Sequence, residues 1–142
     1  MFTFTIRNTV PKYNIEKNKI IYLLDKINEF DFYTLLYLEF PFRKGVMKNI
    51  QDTNYIISVN MIYQFDNFSP DFIIEIIEDG VVLYSEKSSI GSRPNEFNNL
   101  KFESFVNVHD INNLRVRLYK NDHTTNKILL NKLSYIQISL FE

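Results

Sequence analysis

Residues 72–86 read FIIEIIEDGVVLYSE, two runs of β-branched and aromatic residues joined at Asp79-Gly80. Asp-Gly between such runs is the strongest short-range hairpin signal, because a type I′ turn needs positive φ at both central positions. In the first arm Phe72, Ile74 and Ile76 share one face, and Ile73, Glu75 and Ile77 share the other. A strand apolar on both sides is covered on both sides. A helix of the same chain and a neighbouring subunit are the two candidates for that cover.

The same rhythm continues outward from the hairpin. Strands are expected at 55–65, 101–108, 114–120 and 133–140, with Asn67-Phe68-Ser69-Pro70 turning the chain ahead of the hairpin. In Leu114-Arg115-Val116-Arg117-Leu118 the apolar residues point inward and the arginines outward, and Lys101 and Glu103 alternate in the same way. Charges so placed make a wet sheet face with cross-strand pairs. Short strands broken by turn residues are the pattern of an antiparallel sandwich.

Toward the N-terminus the pattern changes. Phe2, Phe4 and Ile6 alternate with Thr3, Thr5 and Arg7 as a half-buried strand, which Pro11 ends. Over residues 15–30, Ile20, Ile21, Leu23, Leu24, Ile27 and Phe30 recur at three- and four-residue steps among Lys17, Lys19, Asp25, Lys26 and Glu29. That spacing predicts an amphipathic helix capped by Asn14, packed on the sheet or offered to a partner. Residues 32–42, FYTLLYLEFPF, read as a strand stopped by Pro41, and 43–54 as a polar loop carrying Arg43, Lys44 and Lys48. The expectation is a mainly β fold, an antiparallel β-sandwich of about eight strands with one amphipathic α-helix packed on it. Residues 1–142 form one domain, with 1–50 as an N-terminal strand and helix extension and 55–140 as the sandwich core.

Composition bounds the function. At 142 residues the chain is long enough for a real core, and a net charge of −1 gives no bulk attraction to nucleic acid or anionic membrane. Cysteine, alanine and tryptophan are absent, while Asn, Ile, Lys, Phe and Tyr abound, as in the products of an AT-rich genome. Without cysteine there is no disulfide scaffold and no thiol chemistry. No basic segment precedes an apolar core at the start, and no apolar run approaches the roughly 20 residues of a membrane helix. The expected location is therefore intracellular or within a virion.

A set of segments carries a resemblance. Ser69-Pro70-Asp71-Phe72 leads into the hairpin, and Pro94, Phe97-Asn98-Asn99 and Phe102 follow. Next come Leu114-Arg115-Val116-Arg117-Leu118-Tyr119-Lys120-Asn121-Asp122 and Leu129-Leu130-Asn131-Lys132-Leu133. In this order, residues 69–140 resemble the C2 domain, the calcium- and lipid-binding sandwich family, with Asn131 where a glycine turn belongs. Calcium takes six to eight oxygens, largely carboxylates. The resemblance places Asp66, Asp71 and Asp122 as vestigial ligands, but puts Lys120 where a first aspartate belongs and Asn126 or Lys127 near the last. It therefore implies a calcium-independent member, with no metal and no cofactor.

Enzyme signatures are absent from the sequence. His109 and His123 stand in turns without an orienting partner, and Gly45, Gly80 and Gly91 are too far apart for a phosphate loop. The expected function is a non-catalytic adaptor that docks on a protein partner or a membrane surface. Its loop tips near Phe68, Lys120, Asp122, His123 and Lys127 would make the contact, with Phe68 as the apolar anchor and the lysines meeting acidic groups. The alternative is a capsid, tail or other virion subunit of a virus or phage, self-associating through Ile73 and Ile77.

Overall fold

The computed structural model describes residues 2–5, 9–14, 19–24, 28–39, 52–88, 93–110 and 113–140. Among them the chain forms strands β1 (Phe2–Thr5), β2 (Thr9–Asn14), β3 (Lys19–Leu24), β4 (Asn28–Phe32), β5 (Leu35–Glu39) and β6 (Thr53–Phe65). These are followed by β7 (Ile73–Glu78), β8 (Val81–Lys87), β9 (Asn98–Val108), β10 (Leu114–Tyr119), β11 (Asn126–Leu130) and β12 (Tyr135–Leu140). One sheet has the order β1-β5-β10-β7-β8, and the other runs β2-β3-β12-β6-β11-β4 with β9 on the second edge of β6. All pairs are antiparallel except β1 with β5. The architecture is the expected two-layer, mainly antiparallel sandwich, built from twelve described strands where about eight were expected.

β6 is the axis of the larger sheet. Its strict alternation buries Tyr55, Ile57, Val59, Met61, Tyr63 and Phe65 against Leu36, Ile74, Ile76, Val116 and Leu118 of the facing sheet. Each such side chain contributes on the order of 1.5–3 kcal/mol by leaving water. One edge of β6 pairs with β9 from Thr53 to Tyr63, and the other is shared between β12 at residues 55–60 and β11 at 63–65. At the handover Ser134 completes the ladder. Its hydroxyl accepts from Ile62 N at 2.9 Å and donates to Ile62 O at 3.2 Å, while Asn131 N donates to the same carbonyl at 2.9 Å.

The hairpin at Asp79-Gly80 forms as its turn chemistry dictates, with φ of 49° at Asp79 and 80° at Gly80. A bulge follows, since Ile76 faces Tyr84 but Ile77 faces Val82, leaving Leu83 unopposed. On β10 the outward Arg117 lies opposite Glu75 and pairs with it at 2.7 Å, the cross-strand arrangement its spacing implied.

Several expectations are corrected. Residues 19–24 and 28–32 are strands rather than parts of a helix, and Asn14 lies in β2 opposite Lys19 rather than capping anything. Apolar steps of three and four in KIIYLL are equally a continuous apolar run, and such a short run with β-branched and aromatic residues favours a strand. β3 pairs with β2 and β12. Residues 15–18 and 25–27 of the expected helix, and the basic loop at 43–48, lie outside the described residues. Pro11 sits within β2, where an end position in the sheet leaves its missing N–H without consequence. Residues 126–130 form β11 rather than a loop, and Asn131 does not take a left-handed conformation. No helix covers the second face of β7 among the described residues; there Ile77 is buried and Ile73 half-buried on the sheet's own surface. Nor is any described helix long and apolar enough to cross a membrane.

The Ser134 contact is testable. Ser134→Ala strips the Ile62 N–H of its hydroxyl acceptor in a half-buried site, and should lower unfolding free energy by about 1–3 kcal/mol. Urea unfolding monitored by tyrosine fluorescence measures it, and a loss below experimental error would remove Ser134 from the ladder.

Candidate functional site

At one end of the sandwich three connections meet: the β4–β5 turn at 33–34, the β6–β7 loop at 66–72 and the β10–β11 loop at 120–125. Lys120 binds them together. Its side chain is 0% exposed, and its ammonium donates to Asp122 Oδ1 at 2.8 Å, to Asn126 Oδ1 at 2.7 Å and to the Thr124 carbonyl. Three N–H donors thus meet three oxygens, which is the full capacity of an ammonium group. Below it, Nζ lies 5.3 Å from the centre of the Phe32 ring, a cation–π contact out of water. Phe32 belongs to an aromatic cluster with Phe65 and Phe72, and Tyr63 joins through edge contacts at 5.2 and 5.6 Å.

The surrounding contacts carry this anchor to each loop. Lys120 N donates to Thr34 O at 3.0 Å, and Asn126 Nδ2 donates to Phe68 O at 3.2 Å. Asp66 accepts from Lys127 N at 3.1 Å, and Asn95 N donates to Phe65 O at 2.7 Å. Asp122 Oδ1 also accepts from the Thr124 N–H and hydroxyl, closing the loop on itself. Burial pushes the Asp122 carboxyl up, yet the bonds from Lys120 and Thr124 outweigh it and hold the group below the ordinary aspartate value.

Of the residues the sequence nominated, the structure brings Phe68, Lys120, Asp122, His123 and Lys127 to this one tip. Phe68 is 41% exposed, and His123 is exposed against Tyr33, itself 40% exposed, with ring centres 6.2 Å apart. The surface role of the lysines is corrected. Lys120 is an internal cation with no access to a partner, and the exposed Lys127 pairs with Glu29 at 3.3 Å. Asp66 is engaged with the β11 backbone, Asp71 lies exposed at the rim, and Asp122 is committed to Lys120. Among the described residues no three acidic or imidazole groups gather to hold a metal ion.

Tyr33 was hidden inside a run read as one strand, although its exposure follows from the bend at residues 33–34. The buried state of Lys120 did have a signal in the chain. Asp122, Thr124 and Asn126 follow it at every second position, an oxygen-bearing series that can wrap around a single cation.

Beside the tip a cleft of about 540 Å³ is lined by Asp71, Ile73, Lys87, Ser88, Tyr119 and Asn121. Ser88 fixes one wall, since its hydroxyl accepts from Phe72 N at 3.0 Å. A second hollow of about 310 Å³ lies on the outer face of β5, β10 and β7, where Tyr37, Arg115, Arg117 and Asn113 meet the Asp79-Gly80 turn. Its polar groups largely satisfy one another: Arg117 with Glu75 and Tyr37, and Asn113 with Asp79 at 3.2 Å.

No protein-family model and no curated protein matches this sequence. Among solved structures the chain is similar at 9% identity to the dimeric latent PorU from Porphyromonas gingivalis, with a TM-score of 0.44 over 82% of this chain and 10% of that one. It is also similar to Eiger TNF from S. frugiperda, at 9% identity and a TM-score of 0.45, over 82% of this chain and 94% of that one. A CBM4 structure matches at 9% identity and 0.44, over 96% of this chain and 80% of that one. The chain thus spans about a tenth of the PorU chain. None of these three is a C2 domain.

Lys120→Met should cost about 3 kcal/mol or more, because the buried Asn126 Oδ1 loses its donor and Asp122 loses its ion-pair partner. Asp122 gives a linked acid signature. Its folded pKa lies below 3.8, so its contribution is present above that value and is lost as pH falls through the lower folded one. Denaturation curves between neutral pH and the acid range should show a smaller loss in Lys120→Met than in the wild type, since only the Thr124 bonds to Asp122 remain. Equal acid sensitivity in both proteins would contradict the pairing.

Proposed function

We propose that this chain is a non-catalytic docking module whose contact surface is the loop tip built around Lys120. The observation that carries the proposal is the combination of exposed aromatic side chains with a rigid base. Phe68, Tyr33 and His123 project from loops tied to a saturated internal cation, so little conformational freedom remains to be lost on contact. Exposed aromatics on a preorganised surface are the usual anchors of an interface.

Charge selects the partner. Asp31 and Asp71 stand exposed at the tip with Asp66 half-buried beside them, while Lys120 is buried against Asp122 and Lys127 is paired with Glu29. Such a surface repels anionic lipid and complements a basic protein segment with an apolar residue to meet Phe68. The chain reads as an adaptor for a protein partner.

Immobilised peptides rich in lysine and arginine, each carrying one aromatic or aliphatic residue, provide the assay. Wild-type protein should bind the basic peptides, lose about tenfold or more in affinity on Phe68→Ala or Tyr33→Ala, and weaken as salt rises. Phosphatidylserine-containing vesicles should not pellet it. Pelleting with those vesicles, or peptide binding indifferent to both substitutions, would overturn the proposal.

A further inference from the structure

We infer that β9 is a self-pairing edge, through which two copies of this chain join into one continuous sheet. β9 is eleven residues long and pairs with β6 on one side, and no described strand pairs with its other side. The edge strand of the second sheet, β8, lies alongside it, with the Tyr84 ring stacked on Phe102 at 5.3 Å. The same flank exposes apolar side chains: Phe105 is 66% exposed on β9, and Val81 and Val82 are 62% and 43% exposed on β8. A long strand edge with such neighbours is a template for another strand.

The occupant follows from the charge pattern. Along β9 the outward residues are Asn99, Lys101, Glu103, Phe105 and Asn107, and the inward ones are Leu100, Ser104, Val106 and Val108. Charged residues commonly guard an edge against pairing. Here, however, one positive and one negative residue stand two apart on the same face, and that spacing is self-complementary in a single register. Two antiparallel copies of β9 related by a two-fold axis normal to the sheet keep inward residues inward, whichever residue lies on the axis. An axis at Lys101 or Glu103 sets like charges opposite each other. An axis at Leu100 sets Lys101 opposite Asn99, and one at Ser104 sets Glu103 against Phe105. Only an axis at Phe102 places Lys101 opposite Glu103 of the second copy, and does so twice. In that register Phe105 faces Asn99 of the second copy, and the stacked Phe102 and Tyr84 of both copies gather around the axis. Cross-strand pairs of opposite charge stabilise antiparallel ladders, and like charges directly opposite destabilise them.

A second copy also explains why this edge escapes the usual protection. Neither a proline nor a positive φ interrupts β9, so its backbone stays straight enough to pair. The inference does not depend on the loop tip, because the paired residues lie on the sheet flank.

The test is light scattering coupled to size-exclusion chromatography, and analytical ultracentrifugation across a dilution series of the whole chain. The wild type should be a dimer at concentrations on the order of 100 μM. Lys101→Glu should weaken it about tenfold or more by setting two glutamate pairs across the axis, and Glu103→Lys should do the same with lysine pairs. The double variant Lys101→Glu with Glu103→Lys restores both pairs with their signs exchanged, and should recover the dimer. All three variants carry substitutions at exposed positions and should keep the wild-type melting temperature. A monomeric wild type, a dimer indifferent to the single changes, or a double variant as weak as the singles would overturn the inference.

Discussion

Burial along β6 is the constraint on which the rest of this molecule depends. Six alternate side chains of one thirteen-residue strand point into the core, and a shift of one residue would turn them all toward water. That requirement fixes the register of β9 on one side and of β11 and β12 on the other. It also creates a local problem, since two strands that share one edge cannot both reach Ile62. The hydroxyl of Ser134 and the amide of Asn131 supply the bonds that neither strand provides. A side chain substitutes for backbone where the ladder changes partner, and the Ile62 amide and carbonyl stay bonded across the junction.

Lys120 solves a comparable problem at the loop tip by electrostatic means. An ammonium group removed from water is costly unless oxygens replace its hydration shell. Asp122, Thr124 and Asn126 replace it from within a single short loop, and Asn126 and Thr34 carry the restraint to the neighbouring connections. The internal cation thus performs the cross-linking that a metal ion performs in other loop clusters, with a covalently attached charge. Because the lysine is neutralised from inside, the acidic groups around the rim are left to set the field that an approaching molecule meets.

The strands facing solvent on one side were legible in the chain because their alternation is strict. β6, β9, β10 and β12 were found close to where they lie, and β7, apolar at both parities, was placed by the Asp79-Gly80 turn that follows it. β3 was not, because Ile20, Ile21, Leu23 and Leu24 are apolar at both parities, and a two-sided strand has no alternation to read. β11 escaped for another reason: Asn126 and Lys127 begin it with polar side chains, one of them buried by its bonds to Lys120 and Phe68. At the tip, local sequence showed that Phe68 and His123 would be exposed. It gave Lys120 the wrong environment, since a lysine in a polar loop is ordinarily a solvated one. The even spacing of its acceptors was the counter-signal.

The pairing of β6 with β12 bears on how the chain is made. Asn60 pairs with Tyr135 and Tyr55 with Leu140, so the central strand waits for the far end of the described chain before its second edge is covered. During synthesis β6 leaves the ribosome with its apolar row exposed, and the first partner to reach it along Thr53–Tyr63 is β9. Contacts so distant in sequence close slowly, because loop entropy is lost before burial compensates it. Until β12 arrives the β6 edge that it covers stays open, so the order of strands along the chain sets when this sheet can close.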